Sequence, residues 1–290
     1  MGLRTKFNLL LLVVALVGLT LFFAASTPIL EGVARDEVLQ SSRIMMESAA
    51  GARKYTSEQI APLLAGTMDQ TFHAQAVSAY AAKKNFEVLH SKFSDYAYRE
   101  AALNPTNLED KAEDWEADII NDFRAHPEKL EIVVQRATPT GPLLELARPL
   151  TNKAACMTCH STPEAAPKSM IALYGAQNGF GWKLGDVVGA QIVSVPMKVP
   201  QERASKVRNL FLLTYAGIFL LLFVLLNLLL GVVVIGPIDK IARVAEAVSM
   251  GEADAPEFEA KGSDQIARLA GSFNRMRRSL QEALRMLSES

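Results

Sequence analysis

Leu143-Leu144-Glu145-Leu146-Ala147-Arg148-Pro149-Leu150 is followed, across a five-residue gap, by Cys156-Met157-Thr158-Cys159-His160. The first segment is a short apolar run bounded by turn residues, which reads as a strand. Ile132-Val133-Val134 reads as its hairpin partner through Pro139-Thr140-Gly141-Pro142. Downstream, Lys183 to Asp186 reads as a turn, and residues 187–195 as a last strand ending at Pro196. Upstream the pattern is helical. Residues 31–68 favour helix with Val33, Val38, Met45, Ile60, Leu63 and Leu64 as buried candidates, interrupted at Gly51 and Pro62. Residues 72–103 are helical in tendency, Asn104-Pro105-Thr106-Asn107 is a turn, and residues 110–123 form an acidic amphipathic helix with Trp115, Ile119 and Phe123 on one face. Helices first, then a small sheet with a cysteine-bearing loop inserted in it, predict an α+β domain.

Cys156 and Cys159 are the 2 cysteines of the chain, and C-x-x-C-H is the pattern of covalent c-type haem attachment. Two thiols at this spacing add to the vinyl groups of one porphyrin, and the adjacent imidazole of His160 comes under the iron as proximal ligand. A zinc site would need a second Cys or His pair at ligand spacing, which His73, His90 and His126 do not supply. A thioredoxin-like redox pair would want a βαβ setting, whereas Pro149, Pro163 and Pro167 mark a loop. The expected cofactor is one covalently attached haem c, bound by Cys156, Cys159 and His160, with His160 as the metal ligand.

Haem is attached to such a motif outside the bacterial inner membrane, so the chain has to cross one. Residues 9–25 are apolar apart from Gly18 and Thr20, and follow Arg4 and Lys6, which place the N-terminus in the cytoplasm. Ala24-Ala25-Ser26 would serve as a cleavage site, but the run exceeds a usual signal-peptide core and leads into a helical pattern, so an uncleaved anchor is predicted. Residues 210–235 form a second span, with no charge between Arg208 and Asp239. Arg203, Lys206 and Arg208 oppose the positive-inside bias, but a long domain translocates largely regardless of such charges. The predicted topology is in, out, in. With 30 Lys and Arg against 31 Asp and Glu, and no basic cluster with interleaved aromatics, a nucleic-acid partner gets no support.

After Gly236-Pro237, Ile238, Ile241, Ala245 and Val248 recur at helical spacing; beyond an acidic connector at residues 251–262, Ile266, Leu269, Phe273, Met276, Leu280, Ala283 and Leu287 alternate by three and four. Two heptad helices cannot bury such seams alone, and a homodimeric four-helix bundle would bury them. The layout resembles the HAMP signalling module, including its membrane-proximal Pro (Pro237) and Phe273-Asn274-x-Met276. It departs where the module's acidic Asp-Glu-x-Gly stands as Ser263-Asp264-Gln265-Ile266-Ala267, which retains only Asp264. A plain coiled-coil stalk is the alternative.

The region before it also resembles a known family. Residues 98–107, Trp115-Glu116-Ala117-Asp118, Cys156 to Ser161, Tyr174-Gly175 with Asn178-Gly179-Phe180-Gly181-Trp182, and residues 189–197 resemble bacterial c-type-haem-binding, PAS-like sensor domains of the DUF3365 type. The resemblance implies a PAS-like sheet flanked by helices, haem seated against the sheet, attachment at Cys156 and Cys159, and axial His160. In parts of that family a cysteine from the N-terminal helices is the second ligand; without a third cysteine that ligation does not carry over. The extracytoplasmic alternatives are His73, His90, His126, Met45, Met46, Met68, Met170 and Met197, or a vacant position open to nitric oxide, carbon monoxide or oxygen. Met45 and Met46 lie on the first long helix, where core packing is the other reading; His73 would give bis-His ligation. Trp115, Phe180 and Trp182 are candidates to pack on the haem, or plain core. Asn227, within the second span, is a candidate for a hydrogen bond across a dimer or to its own backbone.

The expected organisation is a cytoplasmic N-terminus at 1–6, a transmembrane helix at 7–27, a periplasmic PAS-like c-type haem domain at 28–208, a second transmembrane helix at 209–236 and a cytoplasmic HAMP-like module at 237–290. The expected function is a homodimeric inner-membrane haem sensor of redox state or a small gas, not an enzyme. Its signal would pass to a separate cytoplasmic partner, because no kinase, cyclase or methylation region follows the second heptad helix. The alternative is a membrane-anchored monohaem electron-transfer cytochrome c with a periplasmic redox partner.

Overall fold

The computed structural model describes residues 2–250, 257, 258 and 262–288. Its packing divides the chain into two units, Thr27–Arg208 on one hand and Met1–Ser26 with Asn209–Ser290 on the other.

The first unit is a mixed α/β domain. Helix α1 (Leu3–Tyr55) enters it and runs unbroken through Gly51, although a mid-helix glycine costs about 1 kcal/mol relative to alanine. The neighbouring Met46 and Ala49 are fully buried, and their packing holds the helix together. A π-helical turn (Thr56–Ile60) and a short α2 (Ala61–Leu64) with Pro62 in its first turn end the segment. Then come α3 (Ser78–Lys92), β1 (Ala97–Ala102), α4 (Asp114–Ala125), the hairpin β2 (Ile132–Thr138) and β3 (Gly141–Thr151), α5 (Met157–His160), α6 (Lys168–Tyr174) and β4 (Val187–Pro196).

The four strands form an antiparallel sheet ordered β1-β4-β3-β2. Because side chains alternate across a strand, the sheet has two separate cores. On one face Leu144, Leu146, Val193, Val195 and Met197 pack on Val38 and Met46 of α1. On the other, Ala101, Ala147, Ala190 and Ile192 pack on Ile119, Ile120 and Phe123 of α4. Helix α4 begins with a capping box of Glu113 and Glu116. The hairpin turns at Pro139-Thr140, with Thr138 opposite Gly141.

One element differs from the sequence reading. Residues 97–102 form a strand where helix is predicted. Alanine, arginine and glutamate favour helix, but Tyr98 to Ala102 pair in register with Val193 to Gly189, and this tertiary pairing overrides a weak local preference.

Helix α7 (Lys198–Leu229) begins in the first unit and passes into the second, where it continues through a π-helical turn (Leu230–Ile235) into α8 (Gly236–Ser249), and α9 (Gln265–Ser288) follows. The N-terminal part of α1 and the helix formed by α7 and α8 are each long and apolar enough to cross a membrane, with their apolar windows unburied. They touch where Tyr215 donates to the Ala15 carbonyl at 3.1 Å. A Cβ at Gly18 would lie 2.6 Å from the Tyr215 hydroxyl. Asn227 donates to its own backbone at Phe223 O (3.0 Å) and accepts from Arg4 Nε (3.4 Å). On α9, Ala267, Ala270, Asn274 and Arg277 are buried, while Leu269, Met276 and Leu280 of the heptad seam stay about half exposed. Asn274 exchanges two hydrogen bonds with the backbone of Phe258, whose ring meets Phe273 edge-on. The rest of the acidic connector, residues 251–256 and 259–261, lies outside the described residues.

Candidate haem-attachment site

The chain leaves β3 at Thr151 and makes a 3₁₀ turn (Ala154–Cys156) into α5, so that Cys156, Cys159 and His160 sit on one short helical segment. Asn152 anchors the start of this loop. It is buried, and its side-chain amide donates to Lys183 O and contacts Met157 Sδ, both at 3.0 Å. Both cysteines are free thiols, partly buried, and burial pushes the Cys159 thiol above its usual pKa.

His160 is oriented from three sides. Its Nδ1 lies 2.8 Å from the Gly179 carbonyl. A carbonyl only accepts, so Nδ1 carries the proton and Nε2 keeps its lone pair. Thr106 Oγ1 lies 3.3 Å from the same nitrogen. Trp182 stacks on the imidazole at 3.9 Å between centroids and 14° between planes, and its backbone N–H donates to His160 O at 3.3 Å. Burial depresses the His160 pKa, against the opposing effect of the Gly179 bond, and so favours the neutral ring, the form that binds a metal.

The segment bearing Gly179 and Trp182 is itself shaped by glycines. Gly179 has φ +82°, and a Cβ there would lie 2.8 Å from Thr106 N and 2.9 Å from Thr106 Cα. Asn104 accepts from Gly179 N at 3.3 Å, and Gly181 N donates to Ser161 O at 3.0 Å. The turn at 104–107 and the loop at 178–182 thus clasp the C-x-x-C-H helix between them. Among the described residues no group of three or more His, Cys, Asp or Glu side chains is placed to hold a metal ion. Two thiols that can add to porphyrin vinyl groups and one imidazole that can ligate the iron fit a covalently attached haem.

The candidates for a second axial ligand are dispersed. Met46 is fully buried in the core on the α1 face together with Met197; Met45 lies between that core and the one around Phe86. His90 bonds Tyr96 O at 2.9 Å, and His126 pairs with Asp122 at 2.7 Å. Met170 is buried on α6. Met68 and His73 occupy the segment packed against α6, the helix after the motif. There Ser169 donates to Met68 O, Lys168 N donates to Asp69 at 2.9 Å, and Phe72 meets Tyr174 edge-on at 5.5 Å. His73 Nε2 itself lies 2.9 Å from Thr67 Oγ1. Of the aromatic candidates, Trp182 is at His160, whereas Trp115 lies under Arg136 on the α4 face.

Sequence reasoning missed Thr106 and Arg53. Thr106 reaches His160 only through the fold. Arg53, in the last turn of α1, forms an ion pair with Glu100 of β1. Glu100 also accepts from the Tyr98 hydroxyl at 2.6 Å. Burial, then the Glu100 charge, pushes the Tyr98 pKa upward.

Comparison with known proteins bears on this site. A family model described as Tll0287-like matches residues 31–196, and a HAMP domain model matches residues 230–282. A crystal structure of the cyanobacterial heme-protein Tll0287 aligns at 18% identity with a TM-score of 0.45, covering 55% of this chain and 95% of that one. No curated protein matches the chain.

Proposed function

Since this chain belongs to the Tll0287-like family and carries a HAMP domain, we propose that it is a membrane-bound c-type haem sensor, not an enzyme. The sheet domain lies in the periplasm in this reading, with both apolar helices crossing the inner membrane and the HAMP domain in the cytoplasm. A HAMP domain implies transmission of a signal to a partner domain or protein. The half-exposed seam of Leu269, Met276 and Leu280 favours a second copy of the chain as the first partner.

The observation that carries the reading is His160: its Nδ1–H is committed to Gly179 O, which turns Nε2 into the available ligand beside two free thiols. A haem attached there supplies an iron whose charge and axial ligation change with redox state or a bound gas. The protein's part is to fix the attachment helix between the 104–107 turn and the 178–182 loop, and to orient the imidazole. Helix α1 packs on one face of the sheet of the same domain, over β3 and β4, and is continuous with the first apolar run. A small displacement of α1 biases a two-state bundle if the two states differ by only a few kcal/mol.

Absorption and resonance Raman spectra of the purified full chain, oxidised and reduced, with and without carbon monoxide and nitric oxide, test this reading. A five-coordinate ferrous haem that binds gas supports a gas sensor. A six-coordinate haem that resists gas, with a proline at Met276 abolishing downstream signalling, supports a redox sensor. Signalling untouched by that proline would leave an electron-transfer cytochrome instead.

A further inference from the structure

Two buried carboxylates lie between α4 and the sheet. Glu145 of β3 is fully buried and is held by Arg136 of β2 at 3.1 Å and by the Ser194 hydroxyl of β4. Glu116, in the first turn of α4, is 1% exposed. Its Oε1 lies 3.0 Å from Nε of Arg99 on β1, and its Oε2 accepts from Glu113 N at 2.7 Å. A buried charge is costly unless it is paired and hydrogen-bonded, and the partners of Glu145 all belong to the sheet. Those of Glu116 stand instead at the two ends of one loop.

That loop, residues 103–113, joins β1 to α4 and carries the turn that clasps His160. Its base is closed by Ala112 N donating to Ala102 O at 2.9 Å and by Arg99 Nη2 donating to Lys111 O at 2.6 Å. Within it, Asn107 accepts from Glu109 N at 3.2 Å at the start of a 3₁₀ turn (Leu108–Asp110), and Lys83 of α3 pairs with Glu109 and Asp110, each at 3.3 Å. Further along, Asn104 accepts from Gly179 N and Thr106 Oγ1 stands 3.3 Å from His160 Nδ1. Glu116 thus anchors both ends of the loop, the incoming end through Arg99 and the outgoing end through the N–H of Glu113.

We propose that Glu116 is a positioning residue for His160, and that uptake of a proton there loosens the 103–113 loop. The consequence at the iron rests on the haem reading of residues 156–160. The charges facing Glu116 are Arg99 from β1, Glu113 from the cap of α4 and Glu145 from β3, itself paired with Arg136 from β2. Burial raises the Glu116 pKa and the carboxylates of Glu113 and Glu145 add to that, against the Glu113 N–H and Arg99. With the folded pKa above the unfolded one, the stability this group contributes is fully present below the ordinary carboxylate pKa and is lost as pH rises through the folded value. Acid therefore neutralises Glu116 without unfolding the domain through this group. What it removes is the charge that holds Arg99, and with Arg99 the Lys111 carbonyl at the base of the loop.

The test is hydrogen exchange by mass spectrometry on the full chain in detergent, corrected for the intrinsic pH dependence of exchange, beside resonance Raman spectra of the haem. As pH falls from neutral towards the ordinary carboxylate range, peptides from 103–113 should exchange at least about tenfold faster, as befits the loss of a hydrogen bond between charged groups. The haem bands should shift over the same interval. Glu116→Gln, neutral at every pH, should show the fast exchange and the acid-form bands already at neutral pH, with no further response. Arg99→Gln removes the cation that opposes protonation, so the transition should move to higher pH. If Glu116→Gln does not accumulate, the wild-type transition and its upward move in Arg99→Gln support the proposal. Exchange at 103–113 that is flat with pH in the wild type, or that still responds in Glu116→Gln, overturns it, and so do haem bands that stay in place while exchange changes. A wild-type chain with no attached haem would instead remove the haem reading, and the exchange profile would then decide the role of Glu116 in the loop.

Discussion

Replacing Gly179 by alanine is the sharpest local perturbation the site offers. Its backbone has φ +82°, a left-handed conformation that costs an L-residue about 1–2 kcal/mol. The new methyl would stand 2.8 Å from Thr106 N and 2.9 Å from Thr106 Cα, both backbone atoms that no rotamer change can move, and overpacking of this kind costs about 1–3 kcal/mol. The sum, about 2–5 kcal/mol, is a large part of a domain's usual 5–15 kcal/mol. Relief requires the 178–182 loop to back away from Thr106, which withdraws the Gly179 carbonyl from His160. Gly179→Ala should therefore lower the denaturant midpoint of the full chain and broaden or shift the haem absorption bands together. Gly51→Ala is the control: it lies inside α1 with no atom within 4 Å of the added carbon, and should stabilise by about 0.5–1 kcal/mol. A Gly179→Ala chain with wild-type stability and a wild-type spectrum would refute the clasp described for His160.

Met46→Leu should cost less than about 1.5 kcal/mol, as volume-conserving core changes do, and leave the visible spectrum unchanged; a lost or altered axial-ligand band would make Met46 a ligand instead. Met46→Ala at the same fully buried site should cost about 2–5 kcal/mol in denaturant unfolding. Asn274→Ala removes two hydrogen bonds to the Phe258 backbone and should destabilise the HAMP domain by about 1–3 kcal/mol, seen as faster proteolysis of the connector with the haem spectrum unaltered. Leu269→Asp with Met276→Asp should abolish cross-linking between copies through α9, again without spectral change; undiminished cross-linking would place the dimer seam elsewhere.

What the sequence made legible follows physical range. The strands β2, β3 and β4 show in short apolar runs bounded by turn residues such as Pro139-Thr140-Gly141-Pro142, and the heptad helices in their spacing. β1 was hidden because Ala97 to Ala102 carry helix-favouring residues and become a strand only by pairing with β4. The attachment motif could be read outright, since its chemistry lies within five consecutive residues. Its support could not: Thr106 and Gly179 meet His160 across 54 and 19 residues, and Arg53 meets Glu100 across 47. Met46 was ambiguous for a different reason. A methionine on the inner face of a helix looks the same in sequence whether it packs or ligates, and its apolar neighbours Leu144, Leu146 and Val193 come into view only with the fold.

The central claim is covalent haem at Cys156 and Cys159, ligated by His160. The most direct measurement is the alkaline pyridine haemochrome of the full chain, expressed where c-type haem is matured, after extraction with acidified acetone. The account predicts a c-type spectrum that stays with the protein, loses one thioether's contribution in Cys156→Ala or Cys159→Ala, and disappears from the protein in the double variant. Haem released by the solvent from the wild-type chain, or retained equally by the double variant, would contradict it.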